Sequence, residues 1–378
     1  MPNVSVGVPS KGRLVKPRVL QCSTDRGTSL GIAITRLDLL GCDIPRNTSQ
    51  RRTMQNPSAR FVRDRRMTPA DYPQFVALHN AVYPTRTRTV EEVVEGDRKR
   101  HPKIAAGRWA AFAEDRMVGF AGYAQWAGET HRTWFQVNVV VDEAFRRRGI
   151  GTDLYNRLFE ELVQHDPKVL RADAYENLPA GLPFAASVGF NDVFREGPSH
   201  LDLDGFDPEP FAPLIERLER EGIEFVSYAT YRRRNNDFAQ PLYAAYCDAW
   251  KDVPKEEESE ISENDFRASV VDSSALDNAL SAIALCGDDI VGFCEVGTAV
   301  EGRPVYAGFA GVAKAQRGRG IVKALYVKSI ALTRAKGHPQ IQTSSAIENT
   351  AMQTVYRKLG FLREPVWIQL EKRLEAAN

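Results

Sequence analysis

The sequence predicts an α/β fold with a mixed sheet, built twice along one chain. Three observations predict it. Arg146-Arg147-Arg148-Gly149-Ile150-Gly151 returns as Arg317-Gly318-Arg319-Gly320-Ile321-Val322. Leu154-Tyr155 and Gly189-Phe190 return as Leu325-Tyr326 and Gly360-Phe361, every residue number displaced by 171. Each copy also sits between an apolar, Val-rich run and a segment of helical period, which reads as strand, turn, helix. Finally, 378 residues fit two to three domains, so a whole unit is duplicated rather than a short stacked repeat.

The first 53 residues stand apart. They have no sustained period and an Arg-rich, acid-poor composition without a secretory core. We read 1–53 as a disordered or spurious extension, 54–205 as the first domain and 206–378 as the second. In the first domain Phe61–Arg63 is a strand, and Thr68-Pro69 opens a helix as cap and first residue. Strands at Trp109–Phe112 and Met117–Trp126 flank a Glu114-Asp115-Arg116 turn. The nearly unbroken apolar run Trp134–Val141 is a central strand. Gly149–Gln164 is a helix with Ile150, Leu154, Leu158 and Leu162 on one face, and Leu170–Ala174 the next strand. Leu201 and Leu203 alternate with Asp202 and Asp204 like an edge strand. Pro208–Glu221 is a connecting helix that stops at Gly222. The second domain repeats the plan: strand Phe225–Thr230, helix Phe238–Trp250, strands Ile283–Cys286 and Ile290–Gly297, central strand Val305–Val312, helix Gly320–Lys336, strand Ile341–Ser344.

Composition narrows the function. A net charge of +1 argues against a dedicated nucleic-acid binder. No apolar run reaches the length of a membrane span. Cys22, Cys42, Cys247, Cys286 and Cys294 show no metal spacing, so no metal is expected, and they suit reduced thiols in a cytoplasmic protein.

The repeated turn carries the chemistry. The first N–H groups of a helix lack intrahelical partners and, with the helix dipole, make an anion site. Glycine lets backbone approach a pyrophosphate, and arginine adds charge. The competing reading is a solvated basic turn; two copies in the same setting favour phosphate. No Gly-Lys-Ser/Thr follows, so the turn is not a Walker loop, and its glycine spacing is not that of the dinucleotide fingerprint.

Arg-x-x-Gly-x-Gly/Ala after a Val-rich strand, then Asn, then Tyr shortly before Gly-Phe, resembles the GNAT superfamily of acyl-CoA-dependent N-acetyltransferases. The resemblance covers roughly 60–205 and 206–375. It implies two tandem GNAT folds whose central strands splay apart around the pantetheine arm of acetyl-CoA. It also implies coenzyme A as product. The implied cofactor-binding residues are Val139, Val140, Val141, Arg146, Arg147, Arg148, Gly149, Ile150, Gly151 and Thr152 in the first copy. In the second they are Ala310, Gly311, Val312, Arg317, Gly318, Arg319, Gly320, Ile321, Val322 and Asn349. Val322 departs from the Gly/Ala pattern and narrows the second cradle.

The copies differ where the family places its acid. Tyr356 would protonate the departing thiolate; a half-buried packing role beside Leu359 and Phe361 is its alternative. The matching position in the first copy is Ala185, so the phenol is absent there. The resemblance therefore extends to tandem two-domain enzymes such as mycothiol synthase, whose C-terminal half carries the chemistry; nothing in the residues fixes that substrate. Glu295 is the candidate general base, a surface carboxylate on an edge-facing position being the competing reading. Tyr243 and Tyr246 border the acceptor site or belong to the core. The run Lys255–Glu260 reads first as a solvated loop and second as a feature favouring a cationic amine.

The function expected is acetyl transfer from acetyl-CoA to a primary amine of a small molecule in the C-terminal domain, by a monomeric tandem pseudo-dimer with no nucleic-acid or membrane partner. A non-catalytic acyl-CoA-binding regulator and a protein N-acetyltransferase are the alternatives.

Overall fold

A computed structural model describes residues 62–84, 86–125, 132–254, 260–300 and 304–374. The expectations for 1–53, for Phe61 and for most of the Lys255–Glu260 run fall outside these residues. The chain forms a mixed sheet of thirteen strands with helices on both faces. The strands are β1 Val62–Arg66, β2 Ala106–Ala113, β3 Arg116–Gln125, β4 Trp134–Val141, β5 Val169–Tyr175, β6 Asn191–Asp202, β7 Ile223–Ser227, β8 Ala282–Cys286, β9 Asp289–Val296, β10 Val305–Val312, β11 Gln340–Ala346, β12 Leu362–Arg363 and β13 Trp367–Arg373. The helices are α1 Tyr72–Val82, α2 Val90–Lys99, α3 Ile150–Leu162, α4 Gly181–Ser187, α5 Ala212–Arg220, α6 Tyr228–Arg234, α7 Ala239–Trp250, α8 Glu263–Phe266, α9 Ile321–Ala335 and α10 Thr350–Leu359.

The strand order is β1-β2-β3-β4-β5-β13-β6-β11-β10-β9-β8-β7, with β12 on β6. Read from either end, the order shows the same plan, related by a pseudo-twofold through the β13–β6 seam. Strands β4 and β10, and β5 and β11, start and stop at positions 171 apart. Segment 191–202 likewise corresponds to 362–373.

At the seam the halves exchange strands. The last strand, β13, pairs antiparallel with β5 of the first half, Trp367 opposite Tyr175 and Arg373 opposite Val169. In the mirror relation β6 pairs with β11, Glu196 opposite Ala346 and Asp202 opposite Gln340. This overturns the edge-strand expectation for Leu201: β6 lies between β13 and β11, and Leu201 is buried in the core of the second half. Its alternation reflects two differently packed faces, not one open to water.

Local chemistry sets the other elements. Thr89 and Glu92 make a reciprocal capping box at α2, which the sequence reading did not single out. The segment Phe225–Thr230 is not one strand: Ser227 caps the Thr230 N–H and turns the chain into α6. The α3 stripe of Ile150, Leu154, Leu158 and Leu162 is buried against the first sheet half, and α9 covers the second with Ala324, Leu325, Tyr326 and Ile330. A separate core of Tyr228, Tyr246, Phe266, Phe293 and neighbours lies under α6 and α7 on the opposite face.

Candidate active site

Each half opens between its fourth and fifth strands. β4 pairs parallel with β5 only at Trp134–Gln136, and β10 with β11 only at Val305 and Tyr306. Beyond these points the strands diverge. In the first half the gap is a cleft of about 100 Å³ lined by Val137, Asn138, Val139, Ala172, Tyr175 and Ala185 among others.

The turn after each diverging strand is built alike. Gly149 and Gly320 cap α3 and α9 with φ of 86° and 91°, the left-handed region that glycine enters at least cost. The first helical bonds run from Asp153 to the Gly149 carbonyl and from Ala324 to that of Gly320. The N–H groups of Ile150, Gly151 and Thr152, and of Ile321, Val322 and Lys323, precede those bonds and are the unsatisfied donors of a helix start. The leading arginine folds back in both copies: Arg146 Nε donates to the Val141 carbonyl at 3.1 Å and Arg317 Nε to that of Val312 at 2.9 Å.

The charges differ. In the second turn Arg317 pairs with Asp252 at 2.7 Å and Arg319 with Glu221 at 2.5 Å. In the first, Arg148 donates to the Ala144 carbonyl and lies over the Phe145 ring, and Arg147 makes no ion pair among the described residues. Arg147 also holds a φ of 61°, where the second turn has Gly318 at 79°. A side chain at Gly151 would meet Phe184 at 3.3 Å, whereas Val322 packs half-buried against the second core.

Tyr356 points from α10 into the second gap. Its hydroxyl donates to the Ser344 carbonyl at 3.2 Å and receives bonds from Thr343 Oγ1 at 3.2 Å and Tyr326 at 3.3 Å. Thr343 and Ser344 lie on β11 beyond its last pair with β10. The phenol therefore sits against the diverging strand. It is 3% exposed, not half-buried, and burial raises its pKa above the ordinary tyrosine value. Asn349 caps α10 by accepting from the Met352 N–H at 3.2 Å. That places it in a structural contact.

Glu295 corrects the surface reading. It is buried, its Oε1 has no hydrogen-bond partner, and burial pushes its carboxyl up to about 8. It faces the α6/α7 side, where Tyr228 and Tyr246 feel its charge. The sequence held no sign of the local backbone: Gly308 and Phe309 of β10 together oppose Glu295, a β-bulge between the pairs Ala307–Val296 and Ala310–Cys294. The matching strand pair of the first half has no bulge; β3 and β4 pair without interruption from Gly119–Val141 to Gln125–Phe135. Gly122 occupies the position of Glu295 there. Tyr246 is core, ringed by Phe293, Phe309 and Trp250, while Tyr243 is half-buried and donates to the Ile261 carbonyl at 2.9 Å.

Diverging strands, a phosphate-ready helix start and a buried phenol held against the far strand define an acyl-CoA N-acetyltransferase of the GNAT kind. The chain belongs to the Acetyltransferase (GNAT) family, whose profile matches residues 73–190 and 240–361. Among its relatives are two named mycothiol acetyltransferase. That of Geodermatophilus obscurus is 28% identical over 317 residues, covering 82% of this chain and 97% of the relative. That of Sanguibacter keddieii is 27% identical over 276 residues, covering 70% and 81%. A GCN5-related N-acetyltransferase from Sphaerobacter thermophilus has the same fold over 84% of this chain and 97% of its own, with a TM-score of 0.62 at 20% identity. A tandem GNAT protein from the clavulanic acid biosynthesis pathway matches over 84% and 100%, with a TM-score of 0.54 at 19% identity.

Proposed function

We propose that this GNAT protein acetylates a primary amine of a small molecule, with the chemistry in its C-terminal half. The buried Tyr356 hydroxyl against the diverging strand carries the reading. We further propose domains at 54–205 and 206–378, each lending its last strand to the other, in a monomeric cytoplasmic enzyme. The mycothiol acetyltransferase relatives support a small-molecule acceptor over a protein.

Acetyl-CoA, the family's donor, supplies the acyl group already activated as a thioester. Ile321, Val322 and Lys323 offer helix-start N–H groups to its pyrophosphate, with Arg319 beside them. Ala310, Gly311 and Val312 line the gap with main chain that β11 does not pair. Glu295 is the base. The acceptor arrives as an ammonium, and a carboxyl pushed up to about 8 is much closer in proton affinity to an amine of about 10 than an ordinary glutamate is. Tyr356, kept neutral by its raised pKa, is the acid that supplies a proton to the leaving sulfur. Base and acid flank the gap from opposite faces of the sheet: Glu295 is directed toward α6 and α7, Tyr356 packs under α9.

The first half supports a second, non-catalytic coenzyme A site. Its cleft is open where Ala185 replaces the phenol, and Arg147 makes no ion pair among the described residues. Titration with coenzyme A is expected to give two sites per chain. Gly149→Trp should weaken one and Gly320→Trp the other, with acetyl transfer to a primary-amine panel lost only in the second variant. A single site untouched by Gly149→Trp removes the two-site reading, and transfer surviving Gly320→Trp but not Gly149→Trp moves the chemistry to the first half.

A further inference from the structure

The exchanged strands bring one residue of each half into hydrogen-bond contact with the fifth strand that borders the other half's gap. In the first half Gln136 Nε2 donates to Asp173 Oδ2 at 3.1 Å, and Trp367 of β13 bonds the same carboxylate. In the second half Tyr306 shares a 2.6 Å hydrogen bond with Ser344 Oγ, and Ser344 Oγ donates to Glu196 of β6. The two triplets occupy matching strand positions, because Glu196 and Trp367 correspond and face each other across the seam. Their chemistry is opposite: the first half receives an indole, the second a carboxylate.

Ser344 links Glu196 to the proposed reaction centre. Its carbonyl accepts from Tyr356 on one face of β11, and its hydroxyl holds Glu196 on the other. That second face is the one toward Glu295 and α7, from which an acceptor would enter. One serine hydroxyl leaves a carboxylate with room for further donors. Arg86, whose guanidinium lies over the Tyr175 ring 4.8 Å from its centroid, is the cation whose field reaches Glu196, without a hydrogen bond to it.

We propose that Glu196, supplied by the first half, binds the ammonium of the acceptor substrate in the active site of the second half, so that the C-terminal site is incomplete without the N-terminal domain. The proposal rests on the acetyltransferase reading above and adds that the acceptor is held as a cation. Desolvation raises the Glu196 carboxyl toward the neutral form, so a cationic partner is what would keep it ionised there.

The test uses the full chain and two isosteric thioethers, S-(2-aminoethyl)-coenzyme A and S-propyl-coenzyme A, titrated calorimetrically. They differ only in an ammonium or a methyl group just beyond the sulfur. The wild type is expected to bind the ammonium form about tenfold more tightly, the size of a charge-assisted hydrogen bond. Glu196→Gln, which keeps the Ser344 contact, should abolish that preference while leaving S-propyl-coenzyme A binding unchanged; Glu196→Asp should restore part of it. No preference in the wild type, a preference that survives Glu196→Gln, or one that disappears only in Glu295→Gln overturns the proposal. Failure of both thioethers to bind would instead overturn the acetyltransferase reading beneath it.

Discussion

The two halves keep one scaffold and diverge at the side chains to which the proposed function assigns the chemistry. Both have diverging strands, a left-handed glycine before the helix and an arginine folded onto the last strand carbonyl. Only the second has the phenol, the buried carboxylate and the bulge. The first has Ala185, Gly122 and an unbroken strand pair. Phosphate binding at a helix start depends on backbone, so a copy that keeps its turn keeps the means for it. Proton transfer depends on single side chains, so one substitution can remove it. On the function proposed above, the comparison teaches that duplication left a binding module beside a reaction centre, held together by crossed strands.

The largest test of this division is the acid. Tyr356→Phe keeps the ring among Tyr326 and Phe361 and removes one hydroxyl. Loss of a general acid costs about 100- to 10,000-fold in turnover, with acetyl-CoA affinity nearly unchanged. Ala185→Tyr should not create activity in the first half, which also lacks the bulge and the carboxylate. Wild-type turnover in Tyr356→Phe, with chemistry shown to be rate-limiting, would erase the proposed difference between the halves.

The second test concerns what pins the exchanged strands. In the first half Glu371 of β13 meets Arg171 of β5 at 2.5 Å, both nearly inaccessible, and Arg373 at 2.7 Å. Arg171 also lies over the Trp134 ring. The matching pair in the second half is Gln342 opposite His200, with His200 in a half-exposed contact to Glu364 at 3.0 Å. Removing one partner of a buried ion pair leaves the other uncompensated, at a cost of about 3–5 kcal/mol. Glu371→Ala should lower stability by that much in chemical denaturation, and His200→Ala by about 1 kcal/mol or less. Equal effects would mean the seam is held symmetrically.

Glu295 gives a comparison by pH. Its carboxyl is raised by burial to about 8, so the protonated form is the one the fold tolerates. Stability from this group is fully present below the ordinary glutamate value and is lost as pH rises through about 8, by about 1.4 kcal/mol for each unit between the two values. Activity should run the other way, rising with pH until the base is ionised. Glu295→Gln is therefore expected to flatten the fall in melting temperature between the ordinary glutamate value and about pH 8 while removing most turnover. A variant that keeps the wild-type pH–rate profile would exclude Glu295 as base.

Much of this was legible in the residues. The central strands Trp134–Val141 and Val305–Val312 came out with their observed ends, because an apolar run bounded by charge leaves little choice. The two glycine turns before α3 and α9 and the Tyr356/Ala185 contrast followed from a constant offset. The strand exchange did not: β6 and β13 satisfy the same alternation whether they pair within a half or across halves, and pairing partners are not a local property. The bulge at Gly308 and Phe309 was hidden for the same reason, since an extra residue in a ladder is visible only against the partner strand. Glu295 reads as surface because isolated glutamates usually are; its burial comes from α6 and α7 folding over it.

The smallest effect is expected at Arg147, and it sharpens the comparison between the two turns. A left-handed backbone at a residue with a Cβ costs about 1–2 kcal/mol relative to an unstrained one, and the second turn avoids this with Gly318. The first turn keeps the strained arginine although it makes no ion pair among the described residues, a pattern that fits a group reserved for a ligand. Arg147→Gly should therefore raise thermal stability by about 1 kcal/mol and weaken coenzyme A binding at the first site several-fold, at low more than at high salt. Gly318→Arg, the reciprocal change, should destabilise by a similar amount, and any gain in affinity should be confined to the second site. Unchanged coenzyme A affinity in Arg147→Gly would show that the strain serves the turn itself and that the first site binds through helix-start N–H groups alone.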